Sequence, residues 1–469
     1  MRQVVTSTRI FIALITALIL VRLLSLGMYP LFDTTESRYS DIARIMADTN
    51  NYLTPMFNET TPFWGKPPMH KWASAISFEV LGVSEFSARL PHFLATLLTL
   101  VLTFIFVKRF YTKEIAVITT LVLCSTLGFI VGGAMVMTDA LLTLSVTLAM
   151  ISFWVQFKTR SVVSGIVFFV ALAFGMLIKG PVAVVIIGIA LVTWSLYQNV
   201  FWRALTSLPW LFGLMSFMAI TLPWYLMAEY ATPGFLSYFL WGEHVLRFIE
   251  PGWSGDLYGT AHDETKGTIW LFWLAMACPW SVFIILWLLK APTQSFNQIR
   301  TIKVDELTSY LIAFSIAPML LFTLAGNILP AYVMPGLPAF AILIALTIKN
   351  QRSLIITSAL SLVLLVSFLS YVSSGYWQKS TQAYLVQDID VDVPVVYWQK
   401  KPFSGNFYTR GQAQVTSEIS ELMKLQQAQA IYIAVKQSQT KPLTSVLSSC
   451  YMVNKDTKYF LYLCQQENH

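Results

Sequence analysis

The sequence predicts a mainly α-helical, polytopic membrane fold closed by a small C-terminal α/β domain, and three observations predict it. Hydrophobic residues make up 56% of the chain and charged residues 12%, roughly half the charged share of an ordinary soluble domain. Apolar runs of about twenty residues, long enough to cross a bilayer, recur as far as residue 372. Beyond residue 373 the runs stop and short apolar strands replace them. A mean hydropathy of +0.62 makes lipid the solvent. The formal net charge of +7 would suggest nucleic acid in a soluble protein. Here much of the Lys and Arg flanks apolar runs, and no aromatic-basic surface or binding motif accompanies it, which excludes nucleic acid.

The runs fall near 9–29, 88–107, 114–132, 137–156, 162–178, 181–198, 207–228, 267–289, 307–326, 331–348 and 354–372, about eleven spans. With the N-terminus cytoplasmic, Lys108, Arg109, Lys113, Lys158, Arg160, Arg203, Lys290, Arg300, Lys303, Lys349 and Arg352 all fall on the cytoplasmic side. The first run is longer than a signal-peptide core and lacks a small-residue cleavage site before Pro30. The predicted division is a membrane domain, 1–372, and an accessory domain, 373–469. Loops at about 30–87 and 229–266 and the tail share the outer face.

The first loop is far longer than a connector requires, and long structured loops are usually functional. Within it, Ile42, Ile45 and Met46 recur at helical spacing with Asp41 and Arg44 turned away, which predicts an interfacial helix lying on the membrane. Pro67-Pro68 then open a second helix through Trp72, Ile76 and Val80. Lys66 stands at that helix entrance, where amide donors and an ammonium suit a phosphate; the alternative is a lysine snorkelling to a lipid headgroup. Arg38, Lys66, Lys71, Lys179 and Arg247 all defy the positive-inside bias on the outer face, and a bound anion explains them.

Six motifs in order carry a resemblance: DTTESRYSDIARIM with FWGKPPMHKW and SARLPHFLATLLT, then MVMTDALLTL, MLIKGPVAV, LPWY, FLWGEHVLRF and NILPAYVMPGLPAFAIL. Over roughly residues 8–350 the chain resembles the bacterial membrane glycosyltransferases of the GT-C fold, in the dolichyl-phosphate-mannose protein mannosyltransferase superfamily that includes the aminoarabinose transferase acting on lipid A. The resemblance implies an inner-membrane enzyme that moves a sugar from a polyprenyl-phosphate (undecaprenyl-phosphate) donor to a periplasmic acceptor such as lipid A, another envelope glycan or a protein. No Walker or Rossmann fingerprint contradicts it. The alternative is a transporter or flippase of lipid-linked sugars, but the internal repeat and broken mid-membrane helices expected there are not detected in the sequence.

Relatives place an Asp-Glu pair directly before the Arg-Tyr of the first loop, whereas this chain has Thr35-Glu36 there and its aspartate at Asp33. Asp33 is the first choice for the catalytic acid, with Glu36 the alternative, and Asp33 also suits a helix N-cap. Asp139, a carboxylate at the outer end of a span, is the third catalytic candidate or a helix cap. Arg38, Lys66, Lys179 and Arg247 are expected to bind the donor phosphate, although Lys179 could instead snorkel. Glu243 and His244 are expected to meet substrate or, with His262 and Asp263, a divalent metal. In some relatives a glutamate before the Lys-Pro motif supplies a ligand, and here that position is Gly65. The lysine many relatives carry before Leu-Pro is Ile328, which leaves Asn327 as the nearest polar group.

In the tail, strands near Val393–Tyr397, Ala430–Val435 and Tyr459–Leu463 flank a helical stretch at Ser417–Gln427. Cys450 and Cys464 flank a candidate hairpin in a domain placed outside, so a disulfide is expected there. Cys124 and Cys278 fall in spans and read as packing residues.

Overall fold

A computed structural model describes residues 2–58, 60–250, 252–259, 262–290, 304–374, 380–390 and 392–466. Arg300 and Lys303 lie outside the described residues. The helices are α1 (Arg2–Leu24), α2 (Thr35–Thr49), α3 (Met69–Leu81), α4 (Glu85–Phe110), α5 (Lys113–Cys124), α6 (Leu127–Val131), α7 (Thr138–Thr159), α8 (Val162–Lys179), α9 (Val182–Tyr197), α10 (Phe201–Ser207) and α11 (Trp210–Ala231). Further apolar helices follow at Thr268–Met276, Ser281–Lys290, Glu306–Phe322, Leu337–Thr347 and Gln351–Ser373.

Each of the eleven runs meets a helix, but not every one is a single straight span. Seven described helices are long and apolar enough to cross alone, and the pair α5 and α6, with the turn after it, makes an eighth bent by 67°. Ser125 and Thr126 sit at that bend and return their hydroxyls to the carbonyls of Leu121 and Val122 at 2.6 and 2.7 Å. A second break follows Met276, and the carbonyl of Cys278 accepts from the amide of Leu127 at 2.8 Å. One break thus supplies a partner for a backbone amide at the other, where lipid supplies none. The bundle is multi-pass, with an apolar core that also holds buried polar and charged side chains. Helix α4 exposes Leu94, Leu98, Val101 and Ile105 at helical spacing and buries Arg89, His92, Thr96, Thr99 and Thr103, the pattern lipid demands.

Helix α3 fits its expectation: Pro68 caps it, Gly82 ends it at φ +78°, and Ile76 and Val80 point outward. Helix α2 departs from a helix resting on lipid, because Glu36 through Met46 are all buried. Its charged face is covered by protein. Arg44 pairs with Asp41 at 2.8 Å and Asp48 at 2.6 Å, and Asn406 donates to Asp41 at 2.6 Å. Periodicity revealed two faces of α2 and could not reveal that a segment more than 350 residues later closes over one of them.

That segment belongs to a five-stranded sheet: β1 (Val395–Trp398), β2 (Gln414–Thr416), β3 (Ile431–Lys436), β4 (Cys450–Lys455) and β5 (Tyr459–Cys464), in the order β2-β1-β3-β5-β4. β1 runs parallel to β2 and β3, whereas β5 is antiparallel to β3 and β4. Alternation puts Val395 and Tyr397 into one apolar layer and Val396 and Trp398 into the other. Cys450 and Cys464 face each other across β4 and β5 and form the expected disulfide. Residues Phe403–Tyr408 dock the sheet onto α2, and the Tyr408 hydroxyl receives the Leu31 amide at 2.7 Å and donates to Glu85 at 2.9 Å.

Candidate active site

Antiparallel α7 and α8 bring Asp139, in the first turn of one, to the same end of the bundle as Lys179, the last residue of the other. There they meet the first turn of α2, the loop before α3 and a π-helical segment, Ser237–Leu246, around a cavity of about 220 Å³. Arg38, Lys66, Lys179 and Arg247 line it with Asp139 and Glu243. Four bases against these two carboxylates and Asp256, which pairs with Arg247, leave one positive charge in excess.

The bases are not equivalent. Lys179 Nζ pairs with Asp139 Oδ1 at 2.6 Å and lies 4.0 Å from the centre of the Tyr332 ring. Lys66 and Arg247 both clasp Glu243, at 2.7 and 2.8 Å, and Arg247 also reaches Asp256 at 3.4 Å. Arg38 is 5% exposed, and its Nε and Nη1 have no hydrogen-bond partner among the described residues. Among the described residues, ring faces attend its guanidinium, those of Tyr39 at 5.0 Å and of Phe63 and Phe403 at 5.8 Å. A buried cation without a counter-ion is costly.

Burial alone would raise the Glu243 carboxyl, but Lys66 and Arg247 outweigh it and hold the group ionised below its ordinary range. Beneath the site, burial and then the neighbouring charges of Lys66 and Arg38 push the Lys71 amine well down. It donates to the carbonyls of Lys66 and Pro67 at 3.0 and 3.1 Å, which fixes the loop carrying Lys66.

Asp33 and Glu36, expected as the acids, stand outside the cavity. Both Asp33 oxygens accept from Ser404, one from its amide at 2.9 Å and one from its hydroxyl. Burial raises its carboxyl against those bonds. Glu36 is 1% exposed and receives Arg89 through two bonds at 3.0 and 2.9 Å and the amide of Val136 at 3.2 Å. Burial again opposes ionisation, and the Arg89 guanidinium outweighs it to hold Glu36 low. Arg89 also donates to the carbonyls of Leu26, Tyr29 and Pro30, which ties α1, α2 and α4 together. Thr35, where the resemblance expects the aspartate, lines the cavity. Asp33 therefore latches the C-terminal domain, and Glu36 anchors the first loop. The residues that sequence reasoning missed are Tyr332, inside an apolar run that gives no polar signal, and Arg89, which reads as one more flanking base.

A divalent metal does not fit these donors. Both Glu243 oxygens are held by cations, and the His244 ring nitrogens face the carbonyls of Phe239 at 2.7 Å and Lys179 at 3.2 Å. A β-carbon at Gly65 would come within 2.9 Å of the tip of the Phe63 ring, so a glutamate there requires that ring to shift. No group of three metal-ligating side chains forms among the described residues. Glu243 instead positions Lys66 and Arg247, and His244 braces the turn after Lys179.

Comparison with known proteins agrees with this architecture. An undecaprenyl phosphate-alpha-4-amino-4-deoxy-L-arabinose arabinosyl transferase from Enterobacter sp. (strain 638) is 28% identical over 347 residues, 72% of this chain and 59% of the relative. Its counterpart from Aeromonas hydrophila is 29% identical, over 69% of this chain and 57% of the relative. The chain thus spans less than two thirds of the length of the curated relatives it matches. The crystal structure of ArnT from Cupriavidus metallidurans bound to undecaprenyl phosphate superimposes with a TM-score of 0.80 at 17% identity, covering 96% of this chain and 97% of that one. An oligosaccharyltransferase from Archaeoglobus fulgidus follows at 0.51 and 10% identity, covering 97% of this chain and 74% of that one. These likenesses establish the GT-C fold. Residues 5–239 match the family described as dolichyl-phosphate-mannose-protein mannosyltransferase, and the chain belongs to that family.

Proposed function

We propose that the chain is a glycosyltransferase that moves a sugar from an undecaprenyl-phosphate donor to lipid A or another acceptor at the outer face of the bacterial inner membrane. The observation that carries this reading is the cavity in which four bases face two carboxylates and Arg38 lacks a counter-ion. A phosphodiester donor carries one negative charge, and its phosphate gains charge as the sugar departs. A fixed positive excess therefore favours the transition state over the ground state, which is how preorganised charge accelerates a reaction. Asp139 is assigned the acceptor proton, and Arg38, Lys66, Lys179 and Arg247 the phosphate. The aminoarabinosyl transferases among its relatives make that pentose the first sugar to test.

Among the described residues, Lys158 and Arg160 lie at the end of α7 opposite Asp139, as positive-inside bias asks of a cytoplasmic face. The Cys450–Cys464 disulfide suits an oxidising compartment for the sheet. We read residues 1–372 as the transferase unit and 373–469 as a periplasmic accessory domain closing over the first loop.

Purified protein given undecaprenyl-phosphate aminoarabinose and lipid A should release undecaprenyl phosphate and modify lipid A. No transfer to lipid A, envelope glycans or envelope proteins would overturn the reading. Run on right-side-out vesicles, the assay also tests orientation, because donor and acceptor added outside are used only if the cavity opens there.

A further inference from the structure

Among the described residues every cavity base except Arg38 is paired with a carboxylate, and the two carboxylates that line the cavity are held in different ways. Glu243 is locked: it receives Lys66 at 2.7 Å, Arg247 at 2.8 and 3.0 Å and the Tyr238 hydroxyl at 3.3 Å. Asp139 is held lightly. One oxygen receives Lys179 at 2.6 Å, and among the described residues the other receives only the neighbouring Thr138 hydroxyl at 3.3 Å. Lys179 is anchored by its backbone, whose carbonyl faces the His244 ring at 3.2 Å, while its ammonium rests on the Tyr332 face at 4.0 Å. An ammonium that leaves Asp139 keeps the attraction of that ring.

We propose that Asp139 is the resting counter-ion of Lys179 and that the donor's phosphate takes its place, so that substrate binding unmasks the carboxylate that acts on the acceptor. This rests on the reading of the cavity as a polyprenyl-phosphate site. The anion is drawn in by Arg38, and Lys179 turns from one anion to the other within the same cavity. A carboxylate stripped of its ammonium accepts a proton more readily. The acceptor hydroxyl then gives its proton to Asp139 while its oxygen bonds to the anomeric carbon. The bond from that carbon to the phosphate oxygen breaks, and the electron pair leaves on undecaprenyl phosphate, whose added charge Lys179 now faces. Without donor the carboxylate stays occupied, which protects the site against activating water.

An exchange of counter-ions makes an unusual demand on binding: removing a residue of the site must strengthen it. Asp139→Asn should bind undecaprenyl phosphate more tightly than the parent, by about tenfold, the factor that 1.4 kcal/mol represents. The gain should disappear when Asp139→Asn is made in a Lys179→Met background, because the two residues act through one contact. Equal or weaker binding by Asp139→Asn, or a gain that survives Lys179→Met, overturns the exchange while leaving the cavity a phosphate site. A parent protein that does not bind undecaprenyl phosphate overturns both. If Asp139→Asn does not fold, isotope-edited infrared difference spectra decide the matter. Undecaprenyl phosphate added to the parent should shift an aspartate carboxylate band that does not shift in Lys179→Met, and no shift in the parent overturns the proposal.

Discussion

Asp139→Asn should fold, retain the donor and lose about 10²- to 10⁴-fold in transfer rate, the contribution of a positioned base. The amide keeps the size of the carboxylate and can still accept a hydrogen bond from Lys179, so the packing of α7 against α8 survives. What it cannot do is take a proton. The control is Asp33→Asn, whose partner is Ser404 in the C-terminal domain and not the cavity. It should keep transfer within a few-fold and cost about 1 kcal/mol of stability, the usual worth of a hydrogen bond. Single-turnover assays with bound donor, read beside thermal unfolding in detergent, separate the two. Loss of turnover in Asp33→Asn with full activity in Asp139→Asn would return the base to the first loop.

Glu36→Ala is the second large effect, and it falls on stability. Its removal leaves Arg89, fully buried, without a counter-ion, and breaking such a pair costs about 3 to 5 kcal/mol. The same pair sets an acid limit. The folded-state value of Glu36 lies below its ordinary value of 4.5, so its contribution is fully present above that value and is lost as pH falls through the lower folded value. The parent should lose stability steeply in that acidic range, and Glu36→Gln should lose less there while being weaker at neutral pH. A Glu36→Ala protein that melts with the parent yet fails in turnover would make Glu36 catalytic after all.

The sequence revealed those parts of the site that contradict their surroundings. Asp139 is a charge in an apolar run, Lys179 stands in the short turn between two such runs, Lys66 precedes a proline pair, and Arg38 and Arg247 lie on the face where topology disfavours bases. Each is legible because lipid makes a charge expensive. The pairing of these groups was not legible. Spacing in the first loop cannot show that Asp33 meets Ser404 at a separation of 371 residues, or that Glu36 meets Arg89 across 53. The three carboxyl candidates looked alike in sequence, and only their partners distinguish an anchor, a latch and a cavity acid. Tyr332 stayed hidden because a tyrosine in an apolar run looks like core. The fold was legible in kind, since hydropathy finds apolar stretches. It does not find breaks such as the one at Ser125-Thr126, where hydroxyls and a facing loop replace the lost backbone bonds.

One cavity gathers these bases, and the phosphate of a polyprenyl donor is expected among them. The most direct measurement is an experimental structure of the protein with undecaprenyl phosphate added. The phosphate should lie within hydrogen-bond distance of Arg38 and of Lys66 or Lys179, with the polyprenyl chain leading into lipid. A phosphate bound outside the cavity, with Arg38 still facing only Tyr39, Phe63 and Phe403, would contradict it.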